Sequence, residues 1–309
     1  MTESPASTAS LCPYCLRRIP ARRITEADAV YLAKSCPEHG DIEKVLLWKN
    51  SPKPYHSWTR CGSPAAALSD LCPAGCGLCP DHQQKTCTAI IEVTARCNLR
   101  CPVCFAAAGG GSSADPGAAR IAGMLEMVLE KAGPCPIQIS GGEPTLRDDL
   151  PEIVALARSI GFDHIQINTN GIRLAQDEAY GRALVDAGLT VVYLQFDGVT
   201  GSVYESIRGE DLLQIKLHAL ENCRTWKVGV ILVPTLVKRV NDGQIGSIIQ
   251  FAKRWIPIVK GVHFQPMTYA GRYPAAPQNE DRLLLPEILA AIEAQTLGEL
   301  KVENMLPSG

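Results

Sequence analysis

The chain has 309 residues, 30 Lys plus Arg against 32 Asp plus Glu, and a formal net charge of −2. That balance gives no electrostatic reason to expect a nucleic-acid partner. No apolar run approaches the roughly 20 residues of a membrane-spanning helix, and Met1–Ser10 lacks the basic start and apolar stretch of a signal peptide. A cytoplasmic location is expected. Of the 13 cysteines, 11 fall between Cys12 and Cys104. In a reducing compartment, cysteines at two- and three-residue spacings read as metal ligands rather than disulfides.

In chain order, the first 87 residues are rich in Cys, Pro and Gly and show little helical periodicity. Cys12-Pro13-Tyr14-Cys15 and Cys36-Pro37-Glu38-His39 form two knuckles at zinc-ribbon spacing, so zinc, or a mononuclear iron, is expected there. Cys61, Cys72, Cys76, Cys79 and Cys87 follow. Four sulfurs from this set suit an auxiliary cubane cluster, with Cys61 or Cys87 as the fourth ligand.

From Ala89 onward, short strands alternate with amphipathic helices. Strands are expected at Ala89–Thr94, Ile137–Ser140, His164–Asn168, Thr190–Asp197, Val228–Val233 and Val262–Gln265. Helices are expected near Gly117–Lys131, Leu150–Ile160, Asp177–Ala187, Leu212–Asn222, Asp242–Arg254 and Pro286–Glu293. Six strands in this order require a parallel sheet with right-handed crossovers. Four of them alternate apolar with polar residues: Ile137 and Ile139 with Gln138 and Ser140, Ile165 and Ile167 with Gln166 and Asn168. Val192, Leu194 and Phe196 likewise alternate with Tyr193, Gln195 and Asp197, and Val262 and Phe264 with His263 and Gln265. A closed eight-stranded barrel fills its interior with branched apolar side chains. A polar inner face predicts a partial (β/α)6 barrel around a ligand-filled lumen. Three regions are expected: a Cys-rich metal-binding segment at 1–87, the α/β barrel at 88–273, and a C-terminal helix and tail at 274–309.

After the first of these strands comes Cys97-Asn98-Leu99-Arg100-Cys101-Pro102-Val103-Cys104, a C-x3-C-x2-C run. Three thiolates leave one iron of a [4Fe-4S] cubane without a protein ligand, free for a small molecule to chelate. Cys72, Cys76 and Cys79 repeat the spacing, but with no strand before them. Only Cys97 is followed by Ser140-Gly141-Gly142-Glu143-Pro144 at the end of the next strand. Together these motifs resemble the radical S-adenosylmethionine (SAM) superfamily, as does Phe105 after the last cysteine. The resemblance implies that SAM chelates the open iron, that Glu143 meets the SAM ammonium, and that Gly141, Gly142 and Pro144 shape its cradle. It further implies Asn168, Asn170, Gln195 and Asp197 as candidates for the SAM ribose or the substrate, and Arg208 for the SAM carboxylate. Asn-Gly and Asp-Gly turns are the alternative reading of Asn170 and Asp197. His263 reads as a hydrogen-bonded lumen residue.

The order CPxC, CPEHG, CGLCPxH and EVTxRCNLxCPxCF is similar to the subgroup of tetraether lipid synthases and archaeal pterin methylases. It is also similar to the radical SAM (seleno)protein TrsS type. That likeness implies methylation or carbon–carbon bond formation on a small-molecule or lipid-like substrate, with a low-potential donor such as ferredoxin or flavodoxin. It also implies a chain continuing beyond Leu306-Pro307 into further cysteines, for example through a selenocysteine codon read as a stop after Gly309. Two other functions compete: a multi-cluster electron carrier and a metal-binding interaction module. A carrier has no need of Gly141–Pro144 or a polar lumen.

Overall fold

A computed structural model describes residues 7–51, 53–58, 86–109, 114–275 and 277–307. They fall into two compact units, one of Met1–Arg60 with Pro277–Gly309, the other of Cys61–Ala276.

The first unit is built on four antiparallel strands in sequence order, β1 (Ser7–Leu11), β2 (Arg18–Glu26), β3 (Ala29–Cys36) and β4 (Gly40–Lys49). Its innermost side chains at the metal knuckles are Cys12, Ile19 and Cys36. Away from the knuckles the unit also buries Trp48, Ile288, Leu289 and Val302, so the knuckles tie down the end of the sheet that this second apolar group does not include. The sequence reading set residues 274–309 apart, but the structure joins residues 277–307 to this unit. Asn279 accepts from the Leu46 amide at 2.9 Å and donates to the Lys44 carbonyl at 2.9 Å, acting as an extra rung beside β4. Lys53 donates to the carbonyls of Glu303 and Met305.

The second unit holds six parallel strands: β5 (Ala89–Glu92), β6 (Ile137–Ser140), β7 (Ile165–Thr169), β8 (Val191–Gln195), β9 (Gly229–Val233) and β11 (Val259–Val262). They lie side by side in chain order. A short parallel pair, β10 (Thr235–Leu236) with β12 (Gln265–Pro266), extends the C-terminal rim. Helices α1 (Ala118–Ala132), α2 (Leu150–Ile160), α3 (Ile172–Gln176), α4 (Glu178–Asp186), α5 (Gly201–Arg208), α6 (Leu213–Trp226) and α7 (Ile245–Arg254) connect them. A further helix, α8 (Leu285–Gln295), belongs to the first unit.

The alternation in the strands works as the period of two demands. Ile137, Ile139, Ile165, Ile167, Val192, Leu194, Val230 and Leu232 are buried against the helices. Their polar neighbours face the other way, and side chains from β5 through the residue after β11 wall one cavity of about 580 Å³. The sheet is therefore curled, a partial barrel with a polar lumen. Its last strand begins three residues earlier than the sequence reading placed it. Val259 packs into the core, the His263 amide donates the last ladder bond to the Leu232 carbonyl at 2.7 Å, and Gln265 pairs with Thr235. Helices α3 and α5 were not read from the sequence, both being short segments beside Gly-rich turns.

Candidate active site

The loop that follows β5 carries Cys97, Cys101 and Cys104, and all three side chains line the cavity. Several tethers from other elements pin this loop. Asn98 accepts from the Asn170 amide at 2.8 Å, and Arg208 donates to the Val103 carbonyl at 3.3 Å. Arg272 donates to the carbonyls of Cys101 (2.8 Å) and Ala108 (2.6 Å), while its own backbone pairs with that of Cys104. The three thiols are thus held by a preorganised backbone, as a ligand set must be. Burial pushes the Cys97 and Cys101 thiols above their ordinary range; Glu143 adds to the effect at Cys97, and Arg208 opposes it at Cys101. A bound metal reverses that preference outright, since a coordinating thiol is deprotonated.

Gly141 and Gly142 follow β6 and lie against the start of the cysteine loop. The amides of Gly142 and Glu143 donate to the carbonyls of Thr94 and Arg96, each at 2.8 Å. A Cβ on Gly142 would sit 2.2 Å from the Arg96 carbonyl oxygen, and one on Gly141, at φ 148°, 2.2 Å from that of Thr94. Both glycines line the cavity, but their lack of a side chain first serves this backbone-on-backbone packing.

Glu143 is 1% exposed. Its Oε1 accepts from the Thr145 amide (3.0 Å), the Thr145 hydroxyl (2.6 Å) and the Thr169 hydroxyl (2.7 Å). Its Oε2 accepts from the Asn170 amide at 2.7 Å. A carboxylate offers about four acceptor positions over two oxygens. Oε1 is saturated, whereas Oε2 keeps one position for a cationic donor in the cavity.

Asn168 and Gln195 also reach the lumen. Asn168 donates to Gln138 at 2.9 Å, and Gln138 in turn to Gln166 at 3.2 Å, so the amides are fixed in sequence. Gln195 accepts from Lys216 at 3.3 Å, which turns its own NH2 away from that amine. Phe105 stands exposed on the rim. Tyr193 and His263 line the lumen with ring centroids 6.3 Å apart.

Two of the expected contacts sit elsewhere. Pro144 opens the 3-10 turn at Pro144–Leu146 and is not among the lining residues. Asp197 is fully buried, accepting from Arg208 at 2.7 and 2.6 Å and from the Thr235 amide at 3.0 Å. Arg208 lines the cavity, yet its donors go to Asp197, Val103 and Thr235. Lys216 escaped the sequence reading altogether. On α6 it looks like one more polar helix position, but it is fully buried and donates to the carbonyl of Asn170 as well as to Gln195.

In the first unit, the knuckles close on a point. Cys12, Cys15, Cys36 and His39 bring one ligand atom each to within 4.8 Å of the others. The Cys15 and Cys36 sulfurs are 3.8 Å apart, and His39 Nδ1 lies 3.7 and 3.5 Å from the sulfurs of Cys12 and Cys36. Zn–S bonds of about 2.3 Å place tetrahedral sulfurs about 3.8 Å apart, so the donor set fits that ion. Cys61, Cys72, Cys76 and Cys79 lie outside the described residues. Cys87 is exposed just before β5, close to the buried Cys135.

The Radical SAM superfamily model matches residues 91–252, more than half of the chain. The chain belongs to the radical SAM superfamily. A second model, the HMPTM N-terminal zinc ribbon domain, matches residues 5–49. Among curated proteins, this radical SAM chain is 42% identical over 310 residues to a 7,8-dihydro-6-hydroxymethylpterin dimethyltransferase from Methanocaldococcus jannaschii. The match takes in 97% of the chain and 60% of that protein, so the chain spans about three-fifths of its relative. It is 32% identical over 173 residues to a probable GTP 3′,8-cyclase from Methanothermobacter thermautotrophicus, covering 56% of the chain and 55% of that protein. The archaeal pterin-methylase likeness expected from the motif order runs nearly the length of the chain. Solved structures share the fold, and two serve as examples. Streptococcus suis SuiB bound to precursor peptide SuiA gives TM-score 0.54 at 16% identity over 73% of this chain and 49% of that one. Native anSMEcpe with bound AdoMet gives 0.52 at 20% identity over 68% and 60%.

Proposed function

We propose that the chain binds a [4Fe-4S] cluster and SAM in the barrel, cleaves SAM reductively, and directs the resulting radical at hydrogen abstraction in the methylation of a pterin-class small molecule, the methyl carbon coming from a separate one-carbon donor. The observation that carries this reading is convergence: three thiols and a carboxylate with one open acceptor position face the same cavity. Cys97, Cys101 and Cys104, which line the cavity, would hold the cluster through three thiolates. When bound, the cluster supplies one electron that breaks the sulfonium S–C bond of SAM, yielding methionine and a 5′-deoxyadenosyl radical.

The chain's own residues bind, orient and enclose. Glu143 Oε2 takes the amino group of SAM by a charge-assisted hydrogen bond. The amides of Asn168, Asn170 and Gln195 offer polar contacts for ribose or substrate. Arg208 and Asp197, engaged with each other, shape the wall. Gln138, Tyr193 and His263 also line the lumen and suit a planar heterocycle carrying both donors and acceptors. The pterin comes from the relative that matches along 97% of the chain. Zinc in the knuckles of Cys12, Cys15, Cys36 and His39 folds the first unit. The cysteines at 61, 72, 76 and 79 are assigned by spacing alone to an auxiliary cluster, with Cys87 available as a further ligand. A low-potential donor of the ferredoxin or flavodoxin type, in the cytoplasm, completes the reading; among the described residues no helix is long and apolar enough to cross a membrane.

Anaerobic reconstitution with iron and sulfide, followed by SAM and dithionite, tests it. 5′-Deoxyadenosine should form, and faster with a hydroxymethyl-dihydropterin present. A fully reconstituted protein that forms none would overturn the radical reading in favour of an electron carrier.

A further inference from the structure

Arg208, the last residue of α5, is nearly fully buried and stands between two very different groups. On one side its Nε and Nη2 grip the Asp197 carboxylate at 2.7 and 2.6 Å, and Nη2 also reaches the Thr235 hydroxyl at 2.9 Å. On the other side Nη1 donates to the Val103 carbonyl at 3.3 Å, inside the cysteine loop between Cys101 and Cys104. Of the five N–H donors of the guanidinium, these partners take four. The Asp197 carboxylate accepts three hydrogen bonds, two from Arg208 and one from the Thr235 amide at 3.0 Å. A buried ion pair so heavily engaged within the protein, on the wall of a ligand site, acts on its surroundings through its charge.

The pair is neutral as a whole but directed. Its positive end faces the loop that carries Cys101, and its negative end is held back by Thr235. Charge and hydrogen bonds beside the ligating sulfurs are the protein's main means of setting an iron–sulfur potential. In a buried site such a charge is weakly screened.

We propose, on the reading that Cys97, Cys101 and Cys104 ligate the cluster, that the Asp197–Arg208 pair is a redox-tuning element whose guanidinium end favours the reduced cluster. The step is a one-electron uptake from a low-potential donor with no proton transferred, so the cluster becomes more negative by one charge. Arg208 stabilises that added charge, and Asp197 both holds Arg208 in place and limits how far the potential rises.

The test is the midpoint potential of the SAM-responsive cluster, followed by electron paramagnetic resonance during a mediated dithionite titration of the reconstituted full chain. Asp197→Asn leaves the cation unopposed and should raise the midpoint. Arg208→Gln leaves the anion and should lower it by at least a tenfold change in the reduction equilibrium, about 59 mV for one electron. The double variant carries no net charge at the site and should lie between the two, below the wild type. It also keeps the test decisive where a single unpaired charge prevents folding, because its own midpoint must still fall. Arg208→Lys keeps the charge and should move the midpoint least. Shifts of opposite sign from the two halves of one pair are not what a purely structural role produces. A SAM-responsive signal whose midpoint is unmoved, or moves the same way in both single variants, overturns the tuning role alone. A wild-type protein with no SAM-responsive signal overturns the ligation reading and the tuning role together.

Discussion

In the first unit, four ligand atoms crowd within 4.8 Å of one another; in the barrel, three thiols are spaced along the wall of a cavity of about 580 Å³. Both regions begin from cysteines two or three residues apart, so spacing alone does not separate them. What separates them is the company each set keeps. The knuckles bring His39 to complete a tetrahedron, and the strands around them bury few apolar side chains. The barrel loop brings Glu143, Gly141 and Gly142 to an open lumen, above a core that would fold without metal. A closed set stabilises a fold; an open one admits a reactant.

The sharpest way to break this contrast is to delete one ligand from each set. Cys101→Ala should abolish SAM-dependent 5′-deoxyadenosine formation, while the thermal unfolding of the barrel stays cooperative, because Ile137, Val192 and their neighbours supply its stability. Residual SAM cleavage in a reconstituted Cys101→Ala protein would reassign the site. Cys36→Ala should act the other way around. Structural zinc carries on the order of 10 kcal/mol of folding free energy in small ribbons. The β1–β4 sheet should therefore lose its cooperative transition, as chelation should also cause, whereas SAM cleavage persists. Calorimetry of the variant beside a 5′-deoxyadenosine assay separates the two outcomes.

A smaller effect sharpens how the open site is shaped. Gly142→Ala pushes a methyl group to 2.2 Å from the Arg96 carbonyl oxygen, where only backbone can yield. Overpacking of this kind costs about 1–3 kcal/mol. Because the displaced segments carry Glu143 and the cysteine loop, the cost should appear as weaker SAM binding. Equilibrium dialysis against the reconstituted variant would show it. Unchanged affinity would mean that the cradle lies elsewhere along the lumen.

Much of the barrel is legible in the sequence because its signals are local. Alternation in Ile137–Ser140 and Ile165–Thr169 fixes which side of each strand meets helices, and the C-x3-C-x2-C run is itself the coordination chemistry. Glu143 is legible through its motif, although its threonine partners, Thr145 and Thr169, are brought in by the fold. Other features are set by contacts between distant segments and leave little local trace. Strands Arg18–Glu26 and Gly40–Lys49 are rich in charge, and their few buried apolar positions, Ile19, Ala21 and Trp48, give only a weak periodic signal. The grip of Asn279 on β4 spans 233 residues of sequence. Asp197 reads as a site residue because it ends a strand, yet its carboxylate is turned to Arg208, 11 residues on.

Lys216 is the extreme case, and it yields the smallest and most specific prediction. Burial lowers this amine from 10.5 to about 8, with the negative charge of Asp197 only partly offsetting the loss of water. The unfolded chain therefore binds the proton more tightly than the folded one. Below pH 8 both states hold it, and the fold bears the full cost of a buried cation, about 3 kcal/mol. Between pH 8 and 10.5 the folded state releases its proton first, so stability should rise with pH by up to that amount. Lys216→Met has no proton to release at this position. The difference in unfolding free energy, wild type minus variant, should therefore shift toward the wild type as pH climbs from 7.5 to 10.5. Denaturant titrations of the two proteins across that range measure it. A flat difference would mean that the carbonyl of Asn170 and the side chain of Gln195 solvate the ammonium as well as water does. Lys216 would then be a fixed cation beneath the site rather than an amine kept close to neutrality.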